Sequence, residues 1–408
     1  MLTFFPAPYE DELWYGIITR YHMRSGNRYW KDTLRDLFPG LEKRPRLGVA
    51  MPNETMQAVA AQLPPGVLSL RDCALHHSLF SFRMRFHPKG RKAEYLEAFL
   101  RGENMQPKFL FTTKKNAAEL PLRFCPMCIA GDLERHGEPY WHTEHQIASL
   151  PLCPKHLCRL VALPAKNTMT IGQQLILPPE NSGDADFAAT ETEFALTDAI
   201  HYVYTLPFET SPNAQSENLS IAIENAGFLE PGSVRRQVWD TKRLYAALSE
   251  TFGAEIVCRC FGRNLTKAHS RRLRKCEIYS TEEYMLLAVL VGLPASAFFT
   301  DEVIPLALQE HMKELERQGQ VYTKARAAQL LAIREDQLLP YAKRFHIRPF
   351  WTQSGKPRTD AERQNYTVTI NLSQQEREAL DAYMATHNMD AYSHALRYFI
   401  RQMLNKAE

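Results

Sequence analysis

Two short cysteine turns constrain this chain more than any other feature: Cys125-Pro-Met-Cys128 and, beyond residues 129–152, Cys153-Pro-Lys-His156. A Zn²⁺ ion takes about four thiolate or imidazole ligands in a tetrahedron, and each turn supplies two of them from one tight knuckle. The spacing predicts a structural Cys3His site that closes a small subdomain around one zinc per chain. All four positions are then filled by protein, which leaves none open for a catalytic water. Two disulfides are the competing arrangement, and His142, His145 and Cys158 are rival ligands within the same stretch.

Length and composition set the frame. With 408 residues the chain can bury more than one core, so a zinc ion is a local staple. Net charge is only +3, so any affinity for nucleic acid must come from a local patch. No run of about 20 apolar residues predicts a membrane span, and the opening MLTFFPAPYEDE lacks a basic-then-apolar signal pattern. Eight cysteines without a secretory signal suit a reducing cytosol, and a cytoplasmic location is expected. No phosphate-binding Gly-x4-Gly-Lys-Ser/Thr loop and no Gly-x-Ser-x-Gly elbow occurs, and no carboxylate triad stands out, so an enzyme is not expected.

The predicted fold is mainly α and multi-domain. Helical, helix-turn-helix-like subdomains surround the small zinc-binding module, and a ribbon-helix-helix-like unit ends the chain. Residues 1–120 read as a helical domain. The acidic run Glu10–Glu12 suits the positive end of a first helix, Leu13, Ile17 and Tyr21 recur at helical spacing, and Ser25-Gly26-Asn27 stops it. His76 and His77 are expected to pack or cap. The zinc module covers 121–165, with a short helix after the first knuckle and an extended, aromatic Pro139–Leu152. Residues 166–225 are an acidic linker or helical segment, and 226–355 form a second helical domain.

Three regions carry the chemistry expected of a DNA contact. Arg259, Arg263, Lys267, Arg271, Arg272, Arg274 and Lys275 form a cationic run with no acid between them, suited to holding several phosphates. Thr323–Trp351 has helix-turn-helix spacing, with Lys343 and Arg344 on its second helix and Pro340 as a defect within it. In the 356–408 tail, Tyr366, Val368, Ile370 and Leu372 alternate with Thr367, Thr369 and Asn371 as in a strand, and Ser373–Glu376 opens a helix as a capping box. Strand, helix, turn, helix resembles a ribbon-helix-helix unit, whose lone strand must pair across a two-fold axis, so a homodimer is expected. In that resemblance Thr367, Thr369 and Asn371 face the base edges. Cys258, Cys260 and Cys276 make a weak metal pattern and are taken as structural.

CPMC, GEPYW and LPLCPKH in order, with FPAPYEDELWYGIITRYHMRSGN before them and HHSLFSF between, resemble the TniQ/TnsD family of bacterial transposon target selectors. The resemblance covers about the first 160 residues and fades beyond Leu160. In the family a second metal knuckle often follows the first, and this chain departs from that, since Cys158 is the only cysteine between His156 and Cys258. The resemblance implies a protein that chooses a double-stranded DNA target site and recruits an AAA+ ATPase regulator, which brings the transposase. It does so by reading an attachment site directly or by riding on a Cascade–guide RNA complex. A stand-alone transcriptional regulator is the reading outside transposition.

Overall fold

The computed structural model describes residues 2–40, 47, 51–103, 121–163, 175–212, 218–220, 222–223, 226–230, 238–274, 277, 280–299, 312–319, 322–331, 333–344, 347–351 and 374–386. They are mainly helical. The chain divides into two units, 1–320 with 325–350, and 321–324 with 351–408.

The first unit begins with α1 (Trp14–Ser25), α2 (Trp30–Leu37), α3 (Glu54–Ala60), α4 (Leu70–His76), α5 (Phe80–Arg83) and α6 (Lys89–Leu100). Local chemistry marks these ends. Gly26 takes a left-handed φ of 74° and stops α1 where the sequence predicts. Asn53 and Ser69 cap α3 and α4 by accepting from Thr55 N and Asp72 N. The first helix is buried along Trp14–Tyr21, and Gly16 lets it pass close to its neighbours. A Cβ there would meet Glu12 Oε1 at 3.2 Å and Trp141 Cβ at 3.6 Å.

The acidic run expected to complement the positive end of the first helix lies before α1 and outside its first turn. Glu12 is fully buried and takes a bidentate pair from Arg20, Nε to Oε1 and Nη2 to Oε2, both at 2.7 Å. Arg20 also donates to Ala7 O at 2.7 Å, reaches Glu138 at 3.3 Å and lies 3.7 Å from the Tyr9 ring centroid. Two turns of helix carry the guanidinium back over the chain that precedes the helix, and this pairing wins over a solvated acid.

The cysteine-bearing module follows, with β1 (Arg123–Phe124), α7 (Pro126–His136) and β2 (Val161–Ala162). The strands pair antiparallel, Arg123 against Ala162 and Phe124 against Val161. The predicted short helix is present. The predicted extended run over Pro139–Leu152 is not. That segment turns through a 3₁₀ helix at Glu144–Gln146 and touches the chain before α1 through a bridge between Glu12 and His142. Gln146 holds the bend, donating to His142 O at 2.8 Å and to Arg123 O at 2.9 Å.

The second half of this unit contains α8 (Glu191–Thr205), α9 (Thr241–Phe252), α10 (Ala254–Phe261), α11 (Lys267–Arg274), α12 (Thr281–Leu290), α13 (Lys324–Leu330) and α14 (Glu335–Arg344). Thr190 and Glu193 form a capping box at α8. Its far end is closed by two buried cations from the amino-terminal helices. Arg85 donates to Leu206 O and Pro207 O at 2.6 Å, and Lys92 Nζ to Phe208 O at 2.7 Å. One apolar cluster runs from Leu13 to Phe298, with Phe86 stacked on Tyr284 at 4.3 Å. The predicted helical pair is seen as α13 and α14, and α14 continues through Pro340.

In the second unit Tyr322 bridges Trp351, and α15 (Gln374–Thr386) matches the helix expected there. The predicted strand with Thr367, Thr369 and Asn371, and the last helix, lie outside the described residues.

Because Arg20 is 1% exposed, removing its carboxylate partner strands a buried charge. Glu12→Gln, of equal volume, should therefore cost about 3–5 kcal/mol of stability, read as a lower denaturant midpoint with an unchanged slope.

Candidate metal centre

The two knuckles meet because the strands and turns leave them no alternative. Phe124 of β1 delivers Cys125 to the start of α7, where Cys125 is the cap and Pro126 the first helical residue. The Cys125 sulfur accepts from Cys128 N at 3.4 Å. On the other side Cys153 and Cys158 close a loop by Cys153 N donating to Cys158 O at 2.8 Å and Leu157 N to Cys153 O at 2.7 Å. Leu157 takes φ 55° at the turn, a conformation uncommon for a bulky residue. Pairing of β1 with β2 carries this loop back over the first knuckle.

The result is a compact donor set. The ligand atoms of Cys125, Cys128, Cys153 and His156 all lie within 4.8 Å of one another. His156 Nδ1 is 3.4, 3.3 and 3.6 Å from the sulfurs of Cys125, Cys128 and Cys153, and the Cys128 and Cys153 sulfurs are 3.7 Å apart. A tetrahedron with Zn–S near 2.3 Å and Zn–N near 2.0 Å has edges of about 3.5–3.8 Å. The four side chains therefore fit one tetrahedral ion. Hydrogen bonds from Cys125 and Cys128 draw the Cys153 thiol down, while sharing with Cys125 and Cys153, and then burial, push Cys128 up. Three buried thiols this close cannot all ionise without a cation among them.

Cys158 lies outside this set, although its sulfur is 3.3 Å from that of Cys125. Sequence reading weighed it as a rival ligand, and its place two residues after His156 was the available signal. His145 also lies outside the set. It is buried, hydrogen-bonds Cys153, and its ring lies tilted at 45° to that of His142, 4.9 Å away.

A charged cluster beside the centre is not readable in the sequence, because its members come from distant segments. Asp132 of α7 is fully buried and pairs with His142 Nε2 at 3.0 Å. Asp11 Oδ2 is 3.5 Å from His142 Nδ1, and Asp11 Oδ1 accepts from Tyr204 of α8. Glu144 pairs with His201 at 2.8 Å. His77, one of the two histidines expected to pack, bonds Glu12 O at 2.7 Å through Nδ1.

The residues expected to touch DNA are spread over the fold. Arg271 and Arg272 are exposed on α11, and Arg274 is half-buried there. Lys343 and Arg344 end α14. Thr367, Thr369 and Asn371 lie outside the described residues. Among the described residues no helix is long and apolar enough to cross a membrane.

Burial alone would lower the His142 pKa, but hydrogen bonds to Asp11 and Asp132 outweigh it and hold it at about 9. A folded value above the ordinary ~6.5 gives stabilisation that is complete below about pH 6.5 and lost as pH rises through 9. The melting temperature of the native chain should fall more steeply between pH 7 and pH 9.5 than that of His142→Gln. Equal slopes in paired thermal melts would rule this out.

Comparison with known proteins places this geometry. Residues 3–160 match the TniQ family, and the match contains both knuckles. Over 155 residues the chain is 26% identical to transposon Tn7 transposition protein TnsD of Escherichia coli. That alignment covers 37% of this chain and 30% of the relative, so the chain spans under a third of the relative's length in the matched region. The opening helices, the HHSLFSF block and the Cys3His cluster thus all lie inside one TniQ family match, residues 3–160.

Proposed function

We propose that the chain is a non-catalytic target-site selector of a transposon, held in shape by one structural zinc ion. One observation carries the reading: the family match over residues 3–160 contains all four residues of the ligand cluster, Cys125, Cys128, Cys153 and His156. The donor set favours zinc, since three thiolates and an imidazole suit a borderline-soft ion without geometric demands of its own. Four protein ligands make the ion a staple. It supplies no water to chemistry, which agrees with a role in choosing a site rather than cutting one.

In this reading the protein binds double-stranded target DNA in the cytoplasm and recruits an AAA+ ATPase regulator and, through it, a transposase. Arg271, Arg272 and Arg274 neutralise phosphates, joined by Lys343 and Arg344, while Thr367, Thr369 and Asn371 read bases from a ribbon paired across a homodimer. The exposed cationic surface of α11 supports direct binding over recruitment by a Cascade–guide RNA complex, because a guide delegates sequence reading to base pairing.

Two measurements test the halves separately. Native chain should carry one equivalent of zinc by elemental analysis. Cys153→Ser should lose most of it and melt earlier, whereas Cys158→Ser should keep it. Loss of metal from both variants alike would overturn the four-ligand assignment. For the DNA role, purified protein should enrich a discrete set of fragments from a genomic pool without a Cascade complex. Enrichment only when the complex is added would replace direct reading with guided recruitment, and none under either condition would remove the target-selector reading.

A further inference from the structure

The basic run is more than a charged surface, because the fold shapes it. We propose that α10, the turn at 262–266 and α11 form a helix-turn-helix unit whose second helix, α11, enters the major groove of duplex DNA and reads base edges there. This deepens the DNA-binding role argued above and rests on it. The sequence pattern gives helix-turn-helix spacing at Thr323–Trp351 and a helix-turn-helix-like domain over residues 1–120, but none at 254–274. At 254–274 the charge masked the pattern.

The unit is built as follows. α10 ends at Gly262, with φ 81° and ψ −164°, a conformation that L side chains rarely adopt. Its N–H closes on Cys258 O at 2.8 Å. Arg263 and Asn264 then stand exposed, while Leu265 turns inward at 4% exposure. Thr266 starts α11, its Oγ1 accepting from His269 N at 3.1 Å. The inner face of α11 is fixed on both neighbours. Ser270 and Leu273 are buried. The His269 ring meets Phe261 of α10 edge-on at 6.2 Å, and its Nε2 pairs with Glu283 of α12 at 2.6 Å. Tyr284 OH of α12 donates to Leu273 O at 3.3 Å.

What remains outward is one face: Lys267, Ala268, Arg271 and Arg272, at helical positions i, i+1, i+4 and i+5. Among the described residues no ion pair is seen for Arg263, Arg271 or Arg272; Arg272 Nη2 donates to Glu277 O at 3.4 Å, and Lys267 pairs with Glu230 at 2.6 Å. No acid occurs between Glu255 and Glu277. The partner is therefore a polyanion. Shape selects which one. An α-helix with its side chains is about 10–12 Å across, close to the ~12 Å width of the B-DNA major groove, whereas the major groove of an RNA helix is too deep and narrow for side chains to read. Ala268 at the middle of the face lets the helix backbone approach the groove floor. Arg271 and Arg272 have the fork geometry for guanine O6 and N7, and Asn264, where the chain enters α11, has the amide that pairs with adenine. Arg274, three residues from Arg271 and seven from Lys267, borders this face and is half-buried.

The test is selection from a library of randomised 30-base-pair duplexes by full-length native protein and by Arg271→Lys, Asn264→Ala and Ala268→Glu, with thermal melts and zinc content as folding controls. Arg271→Lys keeps the charge and removes the fork, so it should keep overall affinity and salt dependence but lose the preferred base at one position by about tenfold. Ala268→Glu should abolish selective binding without changing the melt. If native protein selects a motif and all three variants select the same motif with equal affinity, α11 is not a reader, although the target-selector role survives. If native protein selects nothing and binds no duplex, both fall together.

Discussion

Three buried thiols and an imidazole held within 4.8 Å of one another form a set that neutral protein chemistry does not tolerate well. Thiolates so close repel, and thiols so close leave buried polar sulfur without strong partners. A tetrahedral cation resolves both conditions at once. The module around it is slight, with two-residue strands and one helix of eleven residues. Its Phe124, Ile129, Trp141 and Leu150 join the main apolar cluster, and a metal ion at the four donors would close the loops that carry them.

From that module the order spreads through buried charge as well as apolar contact. Arg20 ties the chain before α1 to Glu138 just beyond α7. Leu13 N donates to Trp141 O at 2.7 Å, and Trp141 Nε1 donates to Ile176 O at 2.8 Å. Ser149 meets Glu282 of α12 at 2.9 Å. Arg85 and Lys92 close the end of α8. Buried cations are costly unless their donors are met, and here all but Arg85 Nε are met by carbonyls and carboxylates from other segments. Such contacts fix which segments meet, more than they add stability.

Much of the local structure was legible. Gly26 ends the first helix in the sequence and in the structure, and the helix expected after Ser373 is seen as α15, starting at Gln374. The two knuckles were legible because metal chemistry fixes ligand type and spacing within a few residues. The course of Pro139–Leu152 was not, since its aromatic content suggested a strand while its bend is held by Gln146 and by the distant Glu12. The charge of the basic run was legible, but not its shape. Burial of Leu265, Ser270 and Leu273 against α10 and α12 decides which cations face outward, and that depends on residues far along the chain.

By itself the sequence determined the helical class, the four donors and the cationic run, because short-range spacing and composition encode them. Only the tertiary structure decided that Glu12 is a buried ion-pair partner, that Cys158 stands beside the donor set without joining it, and that α11 presents one face of Lys267, Ala268, Arg271 and Arg272. Each depends on the meeting of residues distant in the chain, and such meetings are set by global packing rather than by local pattern.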